Sequence, residues 1–485
     1  MARARRAVRT ATGRATVVAM ASVLAAVGVI TMGAWEPPGA SGLLMAGIAA
    51  DPCDPGRVLP VPPGTAGHFE PGSSVLTTAA GVLTARGVVP MTGAVAGCAA
   101  SAADASQRWL AAGVVPGTTA QQRAMASRAL LDLRLSVRSD GAAVAGWHGT
   151  WQYAWPRDSS WVAVALARTG HQAQALQILR FLARVQGRDG IWAARYHLDG
   201  TPVRDGRPAE LDSAGWVPWA VWSWFTAAEH ARDGRGARAG SGPAPPGGRD
   251  RELARSQLAQ LWPMVRGAAN AAAGSLTSGG LPVPAMDYWE NSTEVTLGTA
   301  APLLAGLRAA ASLAPLMRDG HDGRRWAAAA TRLAAGITSQ FGRTGYQRTP
   351  AAAAGADAAI TFLGPPLAAP GRAVRMAAQA TQRALRQPNG GLVPGTRWRG
   401  STGVAWTAET AFFALFDAGT GRPGAAAGIL SWLASHRTSL GELPEQVNDD
   451  GRPVAVAPLA WTDAVVLLAL LAESGHLPAV PAPHA

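Results

Sequence analysis

Eleven segments carry apolar residues at helical spacing, with no strand-length alternation between them, and this pattern constrains the fold more than any other feature. They begin near Thr119, Asp158, Gln172, Asp212, Arg251, Ser292, Arg324, Gly371, Thr402, Pro423 and Leu459, and each runs for about 13 to 22 residues. Loops alternately short and long join them, which predicts an all-α chain of six helical hairpins closed into a ring. An α-solenoid is the alternative, but the segments share no repeated signature. In a two-layer ring every second helix is inner, and most of the polar and aromatic loops precede even-numbered segments. Those loops should therefore meet at one end of the central cavity, where helix N-termini favour ligands rich in acceptors. The loop from Glu442 to Asn448 precedes the eleventh segment and breaks the parity, which leaves room for a missed short helix between Pro350 and Ala369.

Charge excludes one class of function. The formal net charge is +12, but all 43 basic residues are arginine, and Arg3, Arg5, Arg6, Arg9 and Arg14 precede the first apolar run. No basic stripe interleaved with aromatics follows, so nucleic acid is not an expected partner. Ala15 to Trp35 carries no charge and is long enough to cross a bilayer, so residues 1–35 read as a signal peptide or signal anchor. The arginines stay inside and the rest is exported, secreted or held at the membrane by that segment alone. Residues 36–66, rich in Pro and Gly, read as an extended stalk, and residues 67–103 as a small β-rich collar. The helical domain spans 104–478 and a tail 479–485. In an exported chain the only cysteines, Cys53 and Cys98, are expected to pair, two free thiols being the alternative. No histidine has a metal-ligand spacing, which sets a zinc-dependent cyclase aside, and nothing implies an organic cofactor. The sequence does not specify an oligomeric state.

Trp147 to Gly170 holds four tryptophans, Tyr153 and the Arg157-Asp158 pair, in a chain only 6% aromatic. Such a stretch is either a core corner with a structural ion pair or a carbohydrate subsite, where indole faces stack on sugar rings and a charged fork fixes hydroxyls. Glu290, next to Tyr288 and Trp289 in AMDYWENSTE, should be dry on one side and so suited to a general acid. Glu445, in GELPEQVNDDG, stands in a polar loop where a carboxylate should stay ionised. Two carboxyls in contrasting environments are what glycoside hydrolysis needs. A surface or helix-capping glutamate is the plain reading of both Glu290 and Glu445, and Asp287, Glu294 and Glu442 compete for the same roles.

Seven blocks then carry a resemblance: YAWPRDSSWVAVALARTGH, QGRDGIW, ELDSAGWVPWAVW, DYWEN, ADAAITFL, GLVPGTRWRGSTGVAWTAETAFFAL and LPEQVNDDGRPVAVAPLAWTDAVVLL. In this order they resemble the glucoamylase-like glycoside hydrolase family 15, over about Asp104 to Ser474. The resemblance implies an (α/α)6 barrel that releases glucose from α-glucosides with inversion. Glu290 matches the general acid and Glu445 the general base, with Arg157 and Asp158 gripping hydroxyls of the terminal sugar. Tyr153, Trp155, Trp289 and Trp461 match aromatics of the pocket, and Asp212 falls in a block of the cavity wall, assigned to substrate binding. The implied partner is an α-glucan or α-glucoside oligosaccharide. The chain departs from the pattern at Asn291, where a second acid is usual, at Ala455, where serine is usual, and at Leu392 and Val393, where a basic residue is missing and Arg397 is the shifted substitute. Those departures motivate the competing reading, a surface glycan-binding protein that has lost turnover.

Overall fold

The computed structural model describes residues 42–238, 247–291, 293–400, 403–475 and 477–482, with side chains omitted for 230–238 and 247–250. The expected signal segment, 1–35, lies outside the described residues.

The helical pattern closes into two layers. The outer layer consists of α2 (Ala120–Ser136), α4 (Gln172–Val185), α6 (Gly247–Gly274), α8 (Gly320–Gly336), α9 (Arg372–Leu385) and α11 (Pro423–Ser435). The inner layer consists of α3 (Pro156–Arg168), α5 (Ser213–Arg238), α7 (Leu297–Leu313), a 3-10 turn (Ala358–Leu363), α10 (Thr407–Gly419) and α12 (Ala460–Glu473). Packing runs α12, α3, α5, α7, the 3-10 turn, α10 and back to α12, so the inner ring is complete. The sequence pattern misses α1 (Gly93–Ala111), which stands outside the ring, and the 3-10 turn, which is too short for a helical period to register. That turn is the missing inner member, and counting it restores the parity that the Glu442 to Asn448 loop broke.

Inner and outer helices differ as the two layers require. Every residue of α3 except Arg168 is buried, whereas α9 buries only Ala378, Thr381, Gln382 and Leu385 along one stripe. Leu297–Met317 is apolar enough to cross a membrane by composition, but 67% of its most apolar stretch is buried within the fold, as a core helix must be. At the crossing of α5 and α7 the backbones touch: a Cβ on Gly215 would lie 2.2 Å from the Pro302 carbonyl, so only glycine fits there.

The N-terminal expectations need correction. Residues 42–61 are not an extended stalk. Gly47–Asp51 (β1) and Asp54–Val61 (β2) form an antiparallel hairpin in which Ile48, Ala49 and Val61 are fully buried. Its prolines and glycines mark turns and edge positions, while Met45, Ile48, Leu59 and Val61 supply an apolar face that the Pro/Gly reading overlooks. The collar contains a four-stranded sheet of β3 (His68–Phe69), β4 (Leu76–Thr78), β5 (Gly81–Thr84) and β6 (Gly87–Val89), but its last third is helical, as the start of α1. Cys53 and Cys98 are disulfide-bonded, Cα to Cα 5.1 Å, and tie the β1–β2 turn to α1. In the tail, Val480 is buried and its N–H donates to the Pro366 carbonyl.

Candidate active site

The N-termini of the inner layer meet around one guanidinium. Arg157, in the first turn of α3 and 4% exposed, donates to Glu210, lies 3.5 Å from Asp158 Oδ2, and reaches Glu290 Oε1 at 3.4 Å. Its Cζ sits 4.9 Å above the Trp461 ring of α12. Burial opposes its charge, but Glu210, Asp158, Asp212 and Glu290 together more than offset that and hold the proton firmly. The same burial pushes Asp158 up to about 6 and Asp212 up to about 7, with Arg157 opposing in both cases. Asp212 is wholly buried and accepts from Trp216 Nε1 at 3.1 Å, so it stands behind Arg157 as part of its support.

One helical turn below this polar layer lies an aromatic floor. Trp161 of α3, Trp216 and Trp219 of α5, Phe362 of the 3-10 turn and Phe412 of α10 contact one another, with centroids 4.7 Å apart for Trp161–Trp219 and 5.0 Å for both Trp216–Phe362 and Phe362–Phe412. Arg157 and Trp161, like Asp212 and Trp216, are four residues apart, the spacing that stacks side chains along one helix face. The ring is packed beneath its charged end.

Glu290 closes the loop that enters α7. Its backbone is left-handed, φ 53°, a conformation that costs a non-glycine residue about 1–2 kcal/mol, and its N–H donates to the Asp287 carbonyl at 2.8 Å. Both carboxylate oxygens accept. Trp155 Nε1 donates to Oε1 at 2.9 Å beside Arg157, while Arg207 donates to Oε2 and Arg195 Nη1 lies 3.7 Å from it. The expectation of a dry Glu290 is therefore wrong: Trp289 and Tyr288, its chain neighbours, turn away. Trp289 packs its ring under Arg348 at 3.7 Å and against Trp398 at 5.0 Å, and the Tyr288 hydroxyl donates to Asp357 at 2.6 Å.

Glu445 has the opposite surroundings. It is 6% exposed and, among the described residues, accepts one hydrogen bond, from Trp151 Nε1 at 3.2 Å, with none to its Oε2. Burial pushes it up to about 8, against the Trp151 hydrogen bond and with help from Glu409 and Asp158. The expectation of an ionised Glu445 in a polar loop is corrected by this. Asn448, Asp449 and Asp450 lie beyond β10 (Gln446–Val447), which pairs with β9 (Ala405–Trp406) and β11 (Pro453–Val454), while Glu442, Glu445 and Gln446 are buried. The charge of Glu290 acts on Asp158 and that of Asp158 acts on Glu445, so Asp158 lies within electrostatic reach of each glutamate.

The remaining candidates separate cleanly. Tyr153 is half-buried, 6.1 Å from Trp155 and 5.0 Å beneath the Arg195 guanidinium. Asp287 is wholly buried and ion-paired to Arg348 at 2.9 Å, and the side chain of Glu294 is 47% exposed. Glu442 lies under the N-terminal hairpin, where it accepts from Ile48 N–H. Arg397, the shifted basic residue, is exposed. Sequence reasoning missed Trp151, Arg195, Arg207 and Glu210 as site residues. Only Glu210 and Trp151 gave a signal, since both lie in stretches singled out for other members. Among the described residues no group of His, Cys, Asp or Glu is arranged to hold a metal ion.

No protein-family model matches the chain. Among curated proteins, an uncharacterised glycosyl hydrolase of Methanocaldococcus jannaschii is 28% identical over 96 residues, which are 19% of this chain and 15% of that protein. Among solved structures, a bacterial glucoamylase complexed with acarbose superposes with a TM-score of 0.59 at 15% identity, over 80% of this chain and 60% of that one. A glycosidase in complex with glucose gives a TM-score of 0.54 at 21% identity, over 75% of this chain and 100% of that one. A family 15 glucoamylase from Hypocrea jecorina gives a TM-score of 0.54 at 15% identity, over 72% of this chain and 69% of that one. The helical ring is thus the fold of glucoamylases and related glycosidases.

Proposed function

We propose that this chain is an exported, inverting, exo-acting α-glucoside hydrolase that releases glucose from the non-reducing end of an α-glucan or related α-glucoside. Residues 1–35 would take it across or hold it at the membrane. The observation that carries the reading is the meeting of two glutamates of contrasting environment, Glu290 and Glu445, with the Arg157-Asp158 pair at one end of a ring whose interior is closed by aromatics. A packed floor suits a pocket that takes one chain end, and Arg157, Asp158, Tyr153, Trp155 and Trp461 are its proposed sugar-binding groups, supported by Asp212, whereas Trp289, packed against Arg348 and Trp398, would shape the wall from behind.

The roles follow the resemblance: Glu290 protonates the glycosidic oxygen, and Glu445 takes a proton from the water that attacks the opposite face of the ring. Both roles require a change from the ligand-free arrangement. Glu290 accepts at both oxygens, so a guanidinium must withdraw before the carboxyl can donate. Glu445, pushed to about 8, must lose its proton before it can accept one. Sugar and water entering the site supply the hydration and hydrogen bonds that do this.

Proton NMR with maltose, isomaltose, trehalose and a maltodextrin tests the reading. β-Glucose appearing ahead of mutarotation supports inversion and identifies the linkage. Binding of one sugar with all four intact would instead favour a glycan-binding protein without turnover.

A further inference from the structure

The segment Gly42–Ile48, which precedes the ring in the chain, holds the Glu445 loop at both ends. At the far end, Leu44 N–H donates to the Ala455 carbonyl at 2.8 Å and Ala455 N–H to the Gly42 carbonyl at 3.0 Å, a short parallel bridge. Ala455 takes a left-handed backbone there, φ 62°, and the next residue, Val456, accepts the Glu445 N–H at 2.8 Å. At the near end, Ile48 N–H donates to both carboxylate oxygens of Glu442, at 3.0 and 2.9 Å. The fit is close: a Cβ on Gly47 would lie 2.6 Å from the Glu442 carboxyl carbon and from both its oxygens. Glu442 is wholly buried beside Arg128, Asp132 and Asp463, so its carboxyl has nowhere to retreat.

Glu445 needs such support because its side chain has little of its own. Among the described residues its one side-chain hydrogen bond is from Trp151, so the carboxyl takes its position from the backbone that carries it. We infer that Gly42–Ile48 is a strap that positions Glu445 by clamping residues 442–456, with Glu442 as the positioning residue through which β1 acts. The inference rests on the proposed role of Glu445. A displacement of about 1 Å at a catalytic group costs up to about a hundredfold in rate, so a strap outside the pocket can govern turnover without touching sugar.

The test compares the purified wild-type chain with Gly47→Ala, Glu442→Gln and Leu44→Pro, the last removing the N–H at the far end of the clamp. Folding is checked by circular dichroism, and kcat and KM are measured per folded molecule on the α-glucoside that wild type cleaves. The strap predicts that kcat falls by about tenfold or more while KM stays within about twofold, because Arg157 and Asp158 lie on α3 and keep their grip. Backbone amides of Glu445 and Ala455 should exchange hydrogen faster in the variants, and those of α3 should not. Folded variants with wild-type kcat, or with kcat and KM altered together, overturn the inference. If wild type cleaves no α-glucoside, the hydrolase reading fails by itself, and unchanged amide exchange in the variants then overturns the strap as well.

Discussion

The loop entering α7 and the loop entering α12 each deliver one glutamate to the same end of the ring, but by opposite means. Glu290 arrives with a left-handed backbone and is met by three donors, Trp155 and Arg157 at α3 and Arg207, with the Arg195 guanidinium at ion-pair distance beside them. Glu445 arrives just before the short strand β10 and is met by one indole among the described residues. The first carboxyl is fixed by its own hydrogen bonds and the second by the backbone beneath it. A residue can therefore be made reactive either by crowding it with charge or by leaving it dry, and chain neighbours do not reveal which. Tyr288 and Trp289 flank Glu290 and yet face Asp357, Arg348 and Trp398.

Removing either carboxyl is the strongest way to test this pairing. Glu290→Gln and Glu445→Gln should each lower kcat by roughly 10²–10⁴-fold, the usual worth of one acid or base. Steady-state kinetics on the cleaved α-glucoside check this, and wild-type rates in both variants would remove the pair from the chemistry. Glu294→Gln, on the same loop as Glu290 but with a side chain 47% exposed at the edge of the Arg348 guanidinium, serves as the control that separates a reacting carboxyl from a peripheral one.

The next largest effect should come through pH. Glu445 is raised to about 8 by burial, so a base at this position is protonated below that pH and ionised above it. kcat/KM should accordingly rise as pH increases through about 8. Trp151→Phe removes the one hydrogen bond that opposes the shift, and should carry the rising limb upward by about one pH unit, with about a tenfold loss of kcat/KM at pH 7. A limb that falls above pH 8 would show Glu445 giving up a proton that catalysis needs, and the two glutamates would exchange roles.

How much of this was legible in sequence depended on the range of the interactions. Helical spacing is local, so eleven of the twelve helices among the described residues could be read directly. The 3-10 turn at Ala358–Leu363 is shorter than a readable period, although the parity of the loops pointed to it. The hairpin of residues 47–61 was hidden by its prolines and glycines, because pairing and burial against the ring are long-range facts. The environments of the two glutamates were misread for the same reason. Trp151 lies 294 residues from Glu445 and Arg207 lies 83 from Glu290, so nothing in either local motif announces them.

Arg207 gives the smallest and most discriminating effect. It sits on the loop from Asp199 to Glu210, with a side chain 16% exposed, and pairs with both Asp205 and Glu290. Its charge competes for the oxygen of Glu290 that faces away from Trp155, and a partly exposed pair of this kind is worth about 1 kcal/mol. Arg207→Ala removes that competitor while leaving Trp155 and Arg157 to orient the carboxyl. If withdrawal of Arg207 precedes proton donation, kcat/KM should rise by up to about fivefold, the equivalent of that energy. Arg207→Lys, which keeps the charge on a shorter reach, should fall between. A loss of activity in the alanine variant would instead mean that Arg207 holds substrate or fixes Glu290, and crowding at the α7 loop would then be part of the working geometry, not a resting state that substrate must undo.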